Sequence, residues 1–131
     1  MQPEVVREAQ EWLVRAERDV VATEALLATS PPLPDMAVYH AQQAAEKALK
    51  AFLAARDQPF EKTHELVPLL DACRKLEPAF AQLLPAAQTL SPYATRFRYP
   101  PGPLAPSTTD AETALQLARE VVEFVRQRLG F

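Results

Sequence analysis

The spacing of apolar residues predicts a long helix in the first part of the chain. Over residues 4–28 they recur every three or four positions, the period of a helix that buries one face. They are Val5, Ala9, Trp12, Leu13, Ala16, Val20 and Leu27. The sequence TSPPLP at 29–34 cannot continue this helix, because proline has no backbone N–H to donate. We therefore expect a long amphipathic helix that ends at a turn.

Residues 38–56, VYHAQQAAEKALKAFLAAR, form the second predicted helix, and alanine, its commonest residue, has the highest helix propensity. Asp35 is placed to cap its start. One stripe is apolar and consists of Val38, Ala41, Ala45, Ala48, Leu49 and Phe52. The opposite positions are His40, Gln43, Lys47 and Lys50. Since Glu46 and Lys50 are four residues apart, they can pair on the same face. We expect one buried face and one ordered polar face.

Two shorter helices are predicted between residues 64 and 90. Thr63 is placed to cap a helix over 64–75, in which Pro68 removes an early hydrogen bond and leaves the first turn irregular. A further segment over 78–90 has apolar residues at helical spacing and a predicted kink at Pro85. Both segments are expected to pack against the longer helices.

The segment 91–106, SPYATRFRYPPGPLAP, contains five prolines and is predicted to form no regular element. After it, Thr109 and Glu112 match a capping box, and an apolar stripe leads to Gly130, which is placed to end a final helix. The period-two alternation of strands is absent over any useful length. We therefore predict a single all-α domain over residues 1–131, an up-and-down antiparallel four-helix bundle with an additional short helix.

Composition narrows the classes of protein. The chain has 131 residues and one cysteine, Cys73, so an internal disulfide is excluded. Its net charge of −3 argues against a protein that binds nucleic acid over its whole surface. No cysteine or histidine cluster has zinc spacing, and we expect neither a metal nor a cofactor. The sequence lacks the pattern of a signal peptide and of a membrane span, which predicts a cytoplasmic protein without membrane contact.

Three motifs, in this order and at these separations, resemble the HEPN family of small helical domains. They are YHAQQAAEKALKAFL in the second helix, KTHEL at the start of the third, and YATRFRYP after the fourth. The resemblance covers nearly the whole chain. It implies a helical bundle that forms a homodimer and is encoded beside a minimal nucleotidyltransferase as a toxin–antitoxin pair. It also implies nucleotide or RNA binding in the cleft.

One motif of many HEPN members is missing. Those members are metal-independent ribonucleases that use an arginine followed, after four to six residues, by a histidine. The only histidines here are His40 and His64, and no arginine precedes either at that spacing. The ATRFRYP turn stands at the position of the motif.

The candidate binding residues combine cations with aromatic rings. Guanidinium groups bind phosphates in a bidentate manner, and aromatic rings stack on bases. From the 91–106 segment we select Arg96, Arg98, Tyr93 and Tyr99, and from the second helix His40, Lys47 and Lys50. In the simpler interpretation the aromatic residues pack the segment onto the bundle and the arginines pair with carboxylates.

Three hypotheses follow for function. The leading one is a nucleotide- or RNA-binding module that dimerises and pairs with a minimal nucleotidyltransferase. The alternative is a weak metal-independent ribonuclease, in which Arg96 or Arg98 stabilises phosphate charge and His40 or His64 acts as acid or base. The third is an interaction scaffold without catalysis.

Overall fold

A computed structural model describes residues 2–60 and 62–131. Over these residues the chain is helical and has no strand. The α-helices are α1 (Pro3–Ala28), α2 (Pro34–Ala55), α3 (Leu66–Leu76), α4 (Leu84–Leu90) and α5 (Thr108–Leu129). Short 3₁₀ segments lie at Pro78–Leu83 and Ser91–Ala94. The predicted all-α fold, with three long helices and two short ones, is confirmed.

Helices α1 and α2 are antiparallel. Near the turn that joins them, the hydroxyl of Thr23 donates to the carbonyl oxygen of Ala37 at 3.4 Å. Far from that turn, the ammonium of Lys50 lies 5.4 Å from the centre of the Trp12 ring. Helix α5 also runs antiparallel to α1, and α2 packs against both of them.

Helix α2 is the centre of the bundle, because it packs against α1, α3, α4, α5 and the 3₁₀ segment Ser91–Ala94. Every member of its predicted apolar stripe is buried. The predicted polar face is ordered and lies inside the bundle for much of its length, since four polar side chains of α2 are buried as well. They are Gln42, Gln43, Glu46 and Lys50. Buried polar groups need partners, and these four side chains supply them to one another and to His64.

A chain of three aromatic rings connects α2 to α5 through the first 3₁₀ segment. The ring of Phe80 is fully buried, and its centre lies 4.4 Å from that of Phe52 and 4.9 Å from that of Phe124. Such pairs add about 0.5–1.5 kcal/mol beyond the area they bury. Nearby, burial raises the pKa of the Cys73 thiol to about 12.

The predicted starts of two of the long helices are wrong. The capping box of α5 is formed by Ser107 and Asp110, two residues before the predicted pair: Asp110 N–H donates to the Ser107 hydroxyl at 3.0 Å. Thr109 therefore lies within the first turn. Helix α2 begins at Pro34 after Leu33, without a side-chain cap, because proline at the first position is already set for a helix. Asp35 lies in its first turn, where the helix dipole favours a negative charge. The end of α5 at Gly130, with φ of +71°, is as predicted.

The two short helices also differ from the prediction. Helix α3 starts at Leu66, because His64 is held against α2, and the Thr63 hydroxyl instead accepts from the N–H of Glu65. Pro68 is then the third residue of α3, where a backbone N–H has no intrahelical partner, so no hydrogen bond is lost. Residues 78–90 split into a 3₁₀ segment and α4 just before Pro85. Residue 61, in the connection before α3, lies outside the described residues.

Candidate functional site

The segment 91–106 is anchored by aromatic packing. It begins with the 3₁₀ segment Ser91–Ala94, although no regular element was expected there. Tyr93 and Phe97 stack with ring centres 6.1 Å apart, and both are half-buried against the core. Burial raises the pKa of Tyr93, and the charge of Asp110 adds to this against an opposing effect of Arg96. Tyr93 therefore holds the segment against the bundle rather than facing solvent.

The backbone at Phe97 places two arginines on the outside. Phe97 has φ of +71°, a left-handed conformation that a bulky side chain rarely adopts and that costs about 1–3 kcal/mol. With its ring turned inward, the neighbouring Arg96 and Arg98 are exposed. Tyr99, which follows, is 62% exposed. Strain of this kind is concentrated at functional sites.

Arg98 reaches across to α2. Its guanidinium carbon lies 4.0 Å from the centre of the Tyr39 ring and 5.3 Å from that of Tyr99. One guanidinium nitrogen makes a long hydrogen bond of 3.4 Å to the carbonyl oxygen of Ala94. Within residues 2–60 and 62–131, neither Arg96 nor Arg98 forms an ion pair with a carboxylate. The guanidinium groups are therefore not neutralised by these residues.

Asp19 of α1 holds two of the predicted residues of α2. One carboxylate oxygen lies 2.9 Å from Nδ1 of His40, and the other accepts from Nζ of Lys47 at 2.6 Å. Burial alone would raise the pKa of Asp19, but the hydrogen bonds and charges of His40 and Lys47 outweigh it and hold that pKa below its ordinary value of 3.8. An ionised carboxylate only accepts, so Nδ1 of His40 carries the hydrogen and Nε2 is left for other contacts.

A second carboxylate, Glu46, is the centre of a buried network. It accepts from Lys50 at 3.0 Å and, more weakly, from Gln42 at 3.4 Å. The same carboxylate lies 2.9 Å from Nδ1 of His64, and Gln42 donates to the carbonyl oxygen of His64 at 2.8 Å. His64 thus contacts the middle of α2, although its side chain is 72% exposed.

The structure brings some of the predicted residues together and separates others. The ring of Tyr39 lies 5.3 Å from that of His40, so Arg98, Tyr39, His40 and Lys47 form a continuous group around Asp19. Lys50 is not part of it, because it is buried ten residues after His40, about 15 Å further along α2.

Two residues of this group, Tyr39 and Asp19, were missed in the sequence. The position of Asp19 was a usable signal, because it falls at the helical period of the buried residues of α1. Those residues are Ala9, Leu13, Ala16, Asp19 and Thr23. A charged residue at such a position needs a partner on a facing helix.

The described residues give no indication of a metal site or of a membrane span. No three of their histidine, cysteine, aspartate or glutamate side chains are grouped so as to hold a metal ion. None of their helices has both the length and the apolar character needed to cross a bilayer.

Comparison with known proteins agrees with the resemblance seen in the sequence. A family model described as the HEPN domain matches residues 9–128. The crystal structure of TT1696 from Thermus thermophilus is similar at 33% identity, with a TM-score of 0.78, and the match covers 92% of this chain and 97% of that one. The structure of ST0689, an archaeal HEPN homologue, is 24% identical with a TM-score of 0.75, over 93% and 98% of the two chains, and shares the fold. No curated protein matches.

Proposed function

Because the chain belongs to the HEPN domain family, we propose that it is a nucleotide- or RNA-binding module. Its binding site is the arginine surface, which we define as Arg96, Arg98, Tyr99 and Tyr39. The observation that carries the proposal is the exposed Arg98 guanidinium, held 4.0 Å from the centre of the Tyr39 ring. Stacking on the ring leaves the edge of the guanidinium available to a phosphate.

The charge state of the arginine surface supports phosphate binding. A guanidinium presents donors in a planar fork that matches two phosphate oxygens, and such charge-assisted bonds are about twice as strong as neutral ones. Neither Arg96 nor Arg98 has a carboxylate partner among the described residues. The anchored Tyr93 and Phe97 fix the segment, so less conformational entropy is lost when a ligand binds.

The aromatic residues of the arginine surface favour unpaired bases. Tyr99 is exposed and has a face available, and stacking of a base on such a ring contributes about 1–3 kcal/mol. In double-stranded RNA the base faces are already stacked. We therefore expect single-stranded RNA or a free nucleotide as the ligand.

His40 and Lys47 support the site without adding a free charge. Both are paired with Asp19, and His40 contacts the Tyr39 ring from the side. His40 holds Tyr39 in place under Arg98, and Lys47 fixes the Asp19 carboxylate that positions His40. Lys50 is not included in the arginine surface, because it is buried further along α2.

Fluorescence anisotropy with a labelled single-stranded RNA tests the proposal. The Arg96→Ala/Arg98→Ala variant is expected to bind at least about tenfold more weakly, since each charged hydrogen bond contributes about 1.5–3 kcal/mol. The matched control is Arg7→Ala/Arg18→Ala, which removes two exposed arginines from α1 and is expected to bind normally. If both variants lost the same RNA affinity, or if neither lost any, the assignment of the arginine surface would be contradicted.

We also propose that the chain forms a homodimer and pairs with a minimal nucleotidyltransferase as a toxin–antitoxin module. The support is membership of the HEPN domain family. Sedimentation equilibrium tests the dimer, and co-purification with the product of a neighbouring nucleotidyltransferase reading frame tests the pair. A monomer at all concentrations, or a neighbouring nucleotidyltransferase that does not bind, would contradict these two proposals.

Metal-independent RNA cleavage is the second candidate function. It is favoured by the Asp19–His40 contact of 2.9 Å, because a carboxylate on Nδ1 orients an imidazole for acid–base work at Nε2. The Tyr39 ring contacts both His40 and Arg98, so Arg98 is near His40 and can stabilise charge on a phosphate. The exposed His64, held by Glu46, offers a second such pair.

Incubation of RNA with the protein in EDTA separates the functions. Cleavage that is lost in His40→Ala or His64→Ala would establish the enzyme. Intact RNA together with binding that depends on Arg96 and Arg98 would establish the binding module. Neither activity, with a stable partner complex, would leave the interaction scaffold as the function.

A further inference from the structure

A cavity of about 750 Å³ lies between α1, the second half of α2 and the connection that follows α2. Trp12, Lys50, Ala54 and Phe60 line it. Its volume is within the range of about 300–1,000 Å³ that is typical of small-molecule sites. None of its described lining residues belongs to the arginine surface, so this cavity is a separate site.

A buried ammonium with unused donors lies at this cavity. Lys50 is only 6% exposed, and among the described residues its Nζ hydrogen-bonds only to Glu46. An ammonium has three donors, which leaves two for a ligand. Nζ lies 5.4 Å from the centre of the Trp12 ring and 5.8 Å from that of Phe60. These rings meet edge to face, with centres 6.0 Å apart, and form an apolar wall next to the charge.

The charges around the cavity select the type of anion. Lys62 adds a positive charge, but Glu8 and Asp57 also line the cavity, and Lys50 already pairs with Glu46. A doubly charged phosphate would therefore meet more repulsion than a carboxylate with a single charge. We propose that this cavity binds a small aromatic carboxylate, with its carboxylate on Lys50 and its ring against Trp12 and Phe60.

Trp12 is the only tryptophan of the chain, so its fluorescence reports on this cavity. Phenylacetate is expected to change the emission saturably and to bind at least about tenfold more tightly than neutral benzyl alcohol, because its carboxylate adds a charged hydrogen bond. Phenethylamine is expected to act on the Trp12 emission as weakly as benzyl alcohol, and so is AMP, because the proposed nucleotide site is the arginine surface and not this cavity. The proposal would be overturned if benzyl alcohol, phenethylamine or AMP changed the Trp12 emission at concentrations as low as phenylacetate does. It would also be overturned if phenylacetate gave no saturable change.

Variants place the ligand in the cavity. Ala54→Leu fills the cavity and is expected to weaken phenylacetate binding at least about tenfold, whereas Ala25→Leu, at an exposed position of α1, is not. Glu46→Gln/Lys50→Met removes the ammonium without leaving a buried unpaired charge, and it is expected to weaken binding in the same way. Circular dichroism establishes that each variant is folded. Unchanged binding in either folded cavity variant would overturn the proposal.

One further variant separates this cavity from the arginine surface. Arg96→Ala/Arg98→Ala is expected to bind phenylacetate like the unmodified protein while it loses RNA. Loss of phenylacetate binding in this variant would show that the two sites are not separate and would overturn the proposal.

Discussion

The guanidinium of Arg98 lies over the ring of Tyr39, with 4.0 Å between the guanidinium carbon and the ring centre. This contact joins the proline-rich segment to α2, although the two residues are far apart in the sequence. Tyr39 also contacts His40, whose partner is Asp19. The proposed phosphate-binding group is therefore supported by three elements of the fold, α1, α2 and the segment after α4.

Asp19→Asn is expected to destabilise the protein at neutral pH. It removes the charge that pairs with both His40 and Lys47. Loss of such a buried partner lowers the free energy of unfolding by about 1–3 kcal/mol. Folding lowers the pKa of Asp19. The ionised carboxylate therefore stabilises the fold fully above pH 3.8, and this stabilisation is lost as the pH falls through the lower pKa of the folded state.

Urea denaturation at pH 7 and at low pH measures this effect. The difference between Asp19→Asn and the unmodified protein is expected to shrink at low pH, because both side chains are then uncharged. Glu24→Gln is the control, since its pair with Arg119 is exposed and contributes less than about 1 kcal/mol. A difference that is the same at both pH values would show that the charge of Asp19 does not stabilise the fold.

Phe80→Ala is expected to lower the free energy of unfolding by about 3–5 kcal/mol. The ring of Phe80 is fully buried between Phe52 and Phe124, so its removal leaves a cavity and breaks two ring contacts. Phe131→Ala, at a side chain that is 41% exposed, is expected to change stability by less than about 0.5 kcal/mol. Urea denaturation of both variants checks this, and a small effect at Phe80 would mean that the core closes around the gap.

The long helices could be predicted from this sequence, because the spacing of the apolar residues and the residues at the helix ends indicate the same elements. In α5, the predicted apolar stripe from Ala111 to Leu129 is buried as far as Val125 and half-buried at Leu129, and Gly130 ends the helix. The start of α5 was misplaced because Ser107 and Asp110 offer the same capping chemistry as Thr109 and Glu112, only two residues earlier. Local sequence does not distinguish two such overlapping boxes.

The candidate site was predicted less well, because it depends on contacts between distant elements. The pair of Glu46 with Lys50 was expected from their spacing on α2, but their network also includes His64, which lies in the connection before α3. Arg98 was identified from its own segment. Its stacking partner Tyr39 could not be identified without knowing which face of α2 meets that segment.

Lys50→Met is expected to destabilise the protein by about 3–5 kcal/mol, because it leaves the Glu46 carboxylate buried without its ammonium partner. In Glu46→Gln/Lys50→Met neither member of this pair is charged, and we expect a smaller loss of stability than in Lys50→Met alone. Urea denaturation of Lys50→Met, Glu46→Gln and the double variant measures this coupling. Additive losses would show that the two side chains do not depend on each other.

The salt dependence of RNA binding tests the central claim most directly. Each phosphate contact with single-stranded RNA contributes about −0.7 to the slope of log affinity against log salt concentration. Two contacts, from Arg96 and Arg98, therefore predict that the Arg96→Ala/Arg98→Ala variant has a slope smaller in magnitude by about 1.4. The control Arg7→Ala/Arg18→Ala is expected to keep the original slope. An unchanged slope and affinity in the Arg96→Ala/Arg98→Ala variant would contradict RNA binding at the arginine surface.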